Sequence, residues 1–293
     1  MKKIVKEILD DFSYSKIMSE EKIIQLIRAY RKHLNQLEPC IMLKNGTTLV
    51  SGDIHGDYNI LTSIIELFLD NKKTIQNVVF LGDIIDRGSH SIACLNLIFA
   101  LTLAYPKRIH LIRGNHESPS VNSRYGFLHE VKQFASTNDL YHLYNSVFAV
   151  LPLTLVHEQF RFFFVHGGLP LSEISLKDLK SLPKENYYVN EPLIKQLLWN
   201  DPTETHEHHG PSMRGFDIHT FGKKIVDDFL SKNDLNKIIR AHEAFAEGYK
   251  YFFEEKLLSL FTSEEYYTHV NAKVAYIDKN MEISIFHPDN SDF

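Results

Sequence analysis

The chain reads as an α/β fold: a core of parallel strands with a second, largely antiparallel sheet packed against it. From about residue 47, short apolar runs alternate with segments of helical period, which is how parallel strands joined by helices appear in sequence. Several of these runs end in a polar motif flanked by glycine. Strand ends of an open sheet are where a fold gathers functional groups from distant parts of the chain. Beyond residue 248 the texture changes to short strand-like runs separated by charged turns, and these supply the antiparallel layer.

Taken in order, residues 2–12 have the pattern of a short amphipathic helix. Ser19 ahead of Glu20 and Glu21 gives an N-cap and an acidic first turn. Ile23, Ile24 and Ile27 continue as a helical stripe, so a helix is expected over 20–37, closed by Pro39. The runs Thr48-Leu49-Val50, Val78-Val79-Phe80-Leu81, Ile109-His110-Leu111-Ile112, Phe162-Phe163-Phe164-Val165 and Lys237-Ile238-Ile239 are expected strands. Residues 59–71 and 91–105 have helical period, the second stopped by Pro106. Residues 172–198 read as helix and loop, and 227–235 as part of a further helix. The tail runs 249–253, 257–262, 273–278 and 281–286 are the short strands. No linker rich in Gly, Ser or Pro interrupts 40–288 and no internal repeat is visible. The expected organisation is a helical elaboration over 1–38, one large domain over 39–288, and a short, frayed tail over 289–293.

A length of 293 residues with 44% hydrophobic and 24% charged side chains suits a soluble globular enzyme. The net charge of −5 lacks the basic footprint of a nucleic-acid binder. Two cysteines, Cys40 and Cys94, make a disulfide framework improbable and suggest a reducing compartment. The N-terminus is charged where a signal peptide needs an apolar stretch, and no apolar run reaches the length of a membrane span. A cytoplasmic protein is expected, with the nucleus also open to it.

The candidate site lies in the motifs that follow the strands. Asp53 and His55 stand two apart between Gly52 and Gly56; alone, such a pair is usually a turn. Asp83 follows an apolar strand directly, where a lone carboxylate is costly unless paired or metal-bound. It is the candidate to bridge two cations. Asn115, His166 and His242 each sit in a strand-to-loop junction. The mix of oxygen and nitrogen donors suits manganese, iron or zinc better than calcium or a closed structural zinc site. For any one histidine, a satisfied core imidazole is the commoner explanation; five such motifs at strand ends are hard to explain that way. Asp86 and Arg87 share a loop with Asp83, and His116 follows Asn115. Arg87 and Arg214 can each offer a planar fork of donors to a phosphate. His116 can protonate a leaving alkoxide if Asp86 orients its ring. The cluster His206, His208 and His209 reads as a solvated loop in preference to a third metal site, and Cys94 as core.

Read together, Gly52-Asp53-Ile54-His55-Gly56, Gly82-Asp83 through Asp86-Arg87-Gly88, Arg113-Gly114-Asn115-His116-Glu117, His166-Gly167-Gly168, Leu198-Trp199-Asn200-Asp201-Pro202, Arg214-Gly215 and Arg240-Ala241-His242-Glu243 resemble the phosphoprotein phosphatase (PPP) family of metal-dependent serine/threonine protein phosphatases. The resemblance runs from about residue 19 to 288 and is nearer the eukaryotic-type branch. It implies a calcineurin-like metallophosphoesterase fold, α/β in four layers: a central β-sandwich flanked by helices, in which the second sheet becomes the partner layer. It implies one metal held by Asp53, His55 and Asp83, and another by Asp83, Asn115, His166 and His242. Manganese is the expected metal, with iron or zinc as alternatives. Arg87, Asn115, Arg214 and Tyr266 would meet the substrate, and His116 with Asp86 would move the proton. The implied reaction is hydrolysis of phosphoserine or phosphothreonine by a hydroxide shared between the metals, without a phosphoenzyme. Phosphorylated proteins would be the substrates, with room for a regulatory subunit. Two other readings stay open: a hydrolase of dinucleoside polyphosphates or other small phosphoesters, and a non-catalytic scaffold keeping the fold. The chain departs from the family pattern at Thr262-Ser263-Glu264-Glu265-Tyr266-Tyr267, where the family has Ser-Ala-Pro-Asn-Tyr-Cys, and at Pro170-Leu171.

Overall fold

The computed structural model describes residues 1–135 and 137–289. It begins with α1 (Lys2–Asp10), α2 (Tyr14–Ile17) and α3 (Glu20–Leu34), followed by β1 (Cys40–Leu43), β2 (Thr48–Ser51), α4 (Tyr58–Asp70), β3 (Asn77–Phe80), α5 (Ser91–Ala104) and β4 (Ile109–Leu111). Then come α6 (Pro119–Asn122), α7 (Phe127–Phe134), α8 (Asp139–Phe148), β5 (Thr154–His157), β6 (Phe162–Val165), α9 (Leu176–Lys180) and α10 (Pro192–Trp199). The remainder is β7 (Asp201–Pro202), β8 (His209–Pro211), β9 (His219–Phe221), α11 (Lys223–Lys232), β10 (Lys237–Arg240), β11 (Tyr249–Phe252), β12 (Leu257–Leu260), β13 (Val274–Ile277) and β14 (Ile283–Phe286).

Two mixed sheets form the centre, in the orders β1-β5-β6-β10-β12-β11 and β14-β13-β2-β3-β4. Strands β2, β3, β6 and β12 are buried on both faces because both faces are covered. On β3, Val78 and Phe80 point to one helical layer while Val79 points between the sheets. On β6, Phe163 and Val165 face the opposite helical layer while Phe162 and Phe164 fill the inter-sheet space. Alternate residues thus belong to different cores, and the result is four layers: helices, sheet, sheet, helices. Helix α5 is apolar all round and buried almost end to end, as expected of a helix with partners on every side. It contacts α1, α2, α3, α4 and α7, and Ile4, Ile8, Ile23, Ile27 and Tyr30 from the N-terminal helices join its core.

Four expectations need correction. Helix α3 stops at Leu34, with Asn35 as its C-cap, short of the expected residue 37. The tail strands do not form a sheet of their own. Strand β12 pairs parallel with β10, and β11 pairs antiparallel with β12; β13 pairs antiparallel with β2 and carries β14. Strands β12 and β13 are largely buried and extend the sheets begun by β10 and β2, while β11 and β14, with exposed Lys250 and Ser284, form the outer edges. Helix α11 ends at Lys232, short of residue 235: Asn233 takes the cap position and its Nδ2 donates to the Phe229 carbonyl at 2.9 Å. Ser19 occupies the N-cap of α3 but makes no side-chain capping bond. Residues 290–293, most of the expected tail, lie outside the described residues. Among those described, no helix is long and apolar enough to cross a membrane.

Candidate metal centre and phosphate pocket

Five strands drawn from both sheets deliver the site. β2 leads into Asp53 and His55, β3 into Asp83, β4 into Asn115 and His116, β6 into His166, and β10 into His242. The loops bend at once: His55, Asp83, Asp86, Arg87 and His242 have φ of 48°, 52°, 70°, 71° and 74°. Left-handed backbone at non-glycine residues is uncommon, and it clusters where function holds a strained turn in place. Two glycines permit the approach of the loops. A Cβ on Gly82 would lie 2.3 Å from the Gly114 nitrogen, and one on Gly114 would lie 2.1 Å from Asp83 Oδ1.

Asp83 is the hub. Its Oδ2 lies 3.4 Å from His166 Nε2, 3.8 Å from His55 Nε2 and 3.9 Å from His116 Nε2, while Oδ1 accepts from the His116 backbone N–H at 2.9 Å. Asp53 Oδ2 is 3.5 Å from His55 Nε2, and Asp53 Oδ1 accepts from the His242 backbone N–H at 2.9 Å. Two groups of potential ligand atoms, His55/Asp83/His116 and Asp83/His166/His242, share Asp83, with the atoms in each lying within 4.8 Å of one another. All are buried.

The donors fit metal ions. His55 Nδ1 donates to the Ile85 carbonyl and His166 Nδ1 to the Leu81 carbonyl, both at 2.9 Å. A carbonyl accepts only, so each ring presents an Nε2 lone pair inward, the arrangement that backs a ligating imidazole. His166 Nε2 then meets Asn115 Oδ1 at 2.9 Å. Two acceptors facing each other call for a proton or a cation between them. Among the described residues, the buried His242 Nε2 has no hydrogen-bond partner, an exception that asks for an explanation. Burial, with His116 next, holds His55 down to about 3; burial, with Arg214 and His166 next, holds His242 well below its usual value. Both imidazoles are therefore neutral and able to ligate. Burial and the neighbouring Asp83 push the Asp53 carboxyl up to about 6. Burial also works against ionisation of Asp83, but His166 and His116, whose proton affinity Asp83 raises in return, outweigh it and its carboxyl titrates well below the usual range.

Beside this centre, His116 Nδ1 lies 2.7 Å from Asp86 Oδ2, whose other oxygen accepts from the Phe127 N–H at 2.8 Å. Burial lowers the imidazole's proton affinity, yet Asp83 and Asp86 together leave it above the ordinary histidine value. Arg87 and Arg214 line the same cavity, of about 210 Å³, with Tyr125, Trp199 and Tyr267. The Arg87 guanidinium lies 4.5 Å from the Tyr125 ring and 5.3 Å from that of Tyr266. Arg214 Nε donates to Asp201 Oδ2 at 2.5 Å.

Of the candidate site residues, Asp53, His55, Asp83, Arg87, Asn115, His116, Arg214 and His242 line this cavity; Asp86 and His166 are buried behind it against His116 and Asn115, and Tyr266 stands 52% exposed at the rim while Tyr267 lines the wall. His206, His208 and His209 are exposed at or before β8, and Cys94 is buried in the core. Sequence reasoning gave no role to Glu117 or Asp201. Glu117 is fully buried, and its carboxylate accepts from the N–H groups of Asp83, Ile84 and Gly114 at 2.8, 2.9 and 2.9 Å. It staples the Asp83 loop to the Asn115 loop. Asp201 holds Arg214 and, at 2.8 Å, the buried Arg240. Their signal was present, since both lie inside the quoted motifs, but their partners are backbone groups and arginines that only folding brings near.

A family model described as calcineurin-like phosphoesterase matches residues 46–245. Serine/threonine-protein phosphatase 5 of Solanum lycopersicum is 35% identical over 93% of this chain and 49% of its own length. The PP2A-like serine/threonine-protein phosphatase PPG1 of Candida albicans is 33% identical over 89% of this chain and 62% of its own. The chain spans about half to three-fifths of the length of these curated relatives. A solved protein serine/threonine phosphatase from Saccharomyces cerevisiae, described as similar to human phosphatase PP5, superposes with a TM-score of 0.86 at 28% identity, covering 98% of this chain and 96% of that one. A cold-active protein-tyrosine phosphatase of a Shewanella species shares the fold, with a TM-score of 0.62 at 16% identity over 86% of this chain and 81% of that one.

Proposed function

The chain belongs to the calcineurin-like phosphoesterase family, and from that membership we propose that it is a serine/threonine protein phosphatase that hydrolyses phosphoserine and phosphothreonine directly with water. One observation carries the reading: Asp83 joins two groups of buried donors at the wall of a cavity that also receives Arg87 and Arg214. Asp53, His55 and Asp83 would hold one divalent ion, and Asp83, Asn115, His166 and His242 the other. Manganese is our choice, with iron or zinc as alternatives. When bound, the ions supply a water of lowered pKa and positive charge for the phosphoryl oxygens.

The chain's own residues do the rest. Arg87 and Arg214 bind and orient the phosphoryl group through paired N–H donors. His116, held by Asp86 at Nδ1, carries on Nε2 the proton that the departing serine or threonine oxygen needs. Glu117 keeps the loops of Asp83 and Asn115 in register. No covalent phosphoenzyme is part of this reading, and neither cysteine lines the cavity. The two free, buried thiols also support a cytoplasmic setting. The protein partners we propose are phosphorylated substrates, together with a regulatory subunit.

The test is parallel turnover of a phosphoserine peptide, p-nitrophenyl phosphate and a dinucleoside polyphosphate by manganese-loaded protein. We expect the peptide and the aryl phosphate to be hydrolysed. Preference for the dinucleotide would transfer the chain to the small-phosphoester reading. Metal binding without any turnover would favour the scaffold.

A further inference from the structure

Three loops meet at the mouth of the cavity: 53–57 after β2, 82–89 after β3 and 262–267 after β12. Asp57 is 2% exposed. Its Oδ2 accepts from the N–H groups of Glu264 and Glu265 at 3.0 and 2.9 Å, while Oδ1 accepts from the Ile60 N–H at 3.2 Å, capping α4. The Glu265 side chain reaches loop 82–89, where Oε1 accepts from the Ser89 N–H at 3.2 Å and from the Ser89 hydroxyl. Gly88 in turn donates its N–H to the His55 carbonyl at 2.8 Å, so Ser89 is a fixed anchor. Tyr266 and Tyr267 directly follow Glu265. The Tyr266 ring lies 5.3 Å from the Arg87 guanidinium. The Tyr267 ring packs edge-on against Phe261 at 5.1 Å and lies 6.2 Å from His55.

Arg87 has little else to aim it. Among the described residues its Nε has no hydrogen-bond partner and no carboxylate pairs with it; its guanidinium lies over the rings of Tyr125 and Tyr266. A long cation held by ring faces keeps its direction only while the rings stay put. We propose that Glu265 is a positioning residue: by tying loop 262–267 to Ser89, two residues past Arg87, it holds Tyr266 against the guanidinium and fixes its aim at the phosphoryl group. This rests on the reading of Arg87 as a phosphate ligand. It also gives a role to an acid that stands where the family pattern has none. A pre-aimed donor lowers the ordering cost of binding, so the latch acts on ground-state affinity more than on the chemical step.

The experiment compares wild type, Glu265→Ala, Glu265→Gln and Ser89→Ala, each manganese-loaded. It measures p-nitrophenyl phosphate kinetics, inhibition by inorganic phosphate, amide exchange at Ser89 and thermal unfolding. Glu265→Ala is expected to raise both KM and the phosphate inhibition constant about 5–10-fold, with kcat within about twofold. Its unfolding midpoint should stay within about 2 °C of wild type, as for a surface change, while exchange at Ser89 accelerates. Glu265→Gln keeps an acceptor oxygen and should recover most of the affinity; Ser89→Ala should fall between. Unchanged KM and phosphate inhibition in Glu265→Ala overturn the proposal, and so does unchanged Ser89 exchange. A wild type that neither turns over the ester nor binds phosphate would sink the phosphatase reading instead, and the exchange data would still report on the latch.

Discussion

Asp83 and Arg214 face the same cavity, yet different forces hold them. Asp83 is 1% exposed, its backbone is pinned by Glu117, its carboxylate is ringed by three imidazoles, and its loop meets another across two glycines. The Arg214 side chain is one-third exposed and relies on a single acid, Asp201. Glu265 and Tyr266 belong with Arg214, since both are exposed and reach their partners over long side chains. The centre is over-determined by backbone; the rim is set by a few side-chain contacts. A centre built that way tolerates almost no change, whereas a rim can vary in sequence and retune what is bound. Loop 262–267, where the sequence differs from the pattern of the family it resembles, belongs to the rim.

The sharpest way to break this contrast is Asp83→Asn. One carboxylate serves both groups of donors, so metal loading and turnover should fall together, and by more than the ~100-fold typical of changes one layer out from a metal. Metal analysis alongside phosphopeptide turnover checks it; retained activity would remove Asp83 from the hub. Next in size is His116→Ala. Loss of a general acid costs about 10²–10⁴-fold where the leaving group needs a proton. Alkyl phosphates should therefore suffer far more than p-nitrophenyl phosphate, and equal losses would argue against the acid role.

At the rim, Arg214→Lys should raise KM by about 10-fold with a smaller change in kcat, because a lysine cannot reproduce a planar fork of donors. A kcat collapse comparable to that of Asp83→Asn would erase the difference between centre and rim. The smallest effect is expected outside both. Glu130 caps α5 by accepting from the Ser91 and Ile92 N–H groups at 3.0 and 2.9 Å, and burial pushes its carboxyl up to about 6. The folded state thus binds this proton more tightly than the unfolded chain does. Glu130 favours the fold most at pH below its unfolded value, and that contribution is lost as pH rises through about 6. A shift of this size amounts to roughly 2 kcal/mol. Glu130→Gln should remove the slope, so the stability gap between variant and wild type, read from urea unfolding at pH 4.5 and pH 7, should change across that window. A constant gap would refute it.

The centre was legible in sequence because its strands are buried on both faces. Val78-Val79-Phe80-Leu81 and Phe162-Phe163-Phe164-Val165 can only be read as strands between two cores, and the acids and imidazoles after them then share one edge. The pairing of the tail was not legible. Leu257–Leu260 and Val274–Ile277 look alike locally, and what sends them to different sheets is contact with Ile238 and Val50, far away in the chain. Glu117, Asp57 and Asp201 were opaque for a related reason: their task is to accept from groups that come within reach only after the loops close. At the rim, neighbouring aromatic residues divide the work. Tyr267 enters the wall and Tyr266 turns out over Arg87, a choice no local pattern encodes.

Helix α5 carries a consequence for how the molecule is made. During synthesis, residues 2–34 leave the ribosome well before residues 91–104, so the segment that covers α5 is already available when that helix appears. A version expressed without those first helices would present α5 to solvent along the flank they normally shield. Such a trimmed protein is expected to partition into inclusion bodies even though it keeps every donor around Asp83, and co-expression of the missing segment as a separate peptide should return part of it to the supernatant.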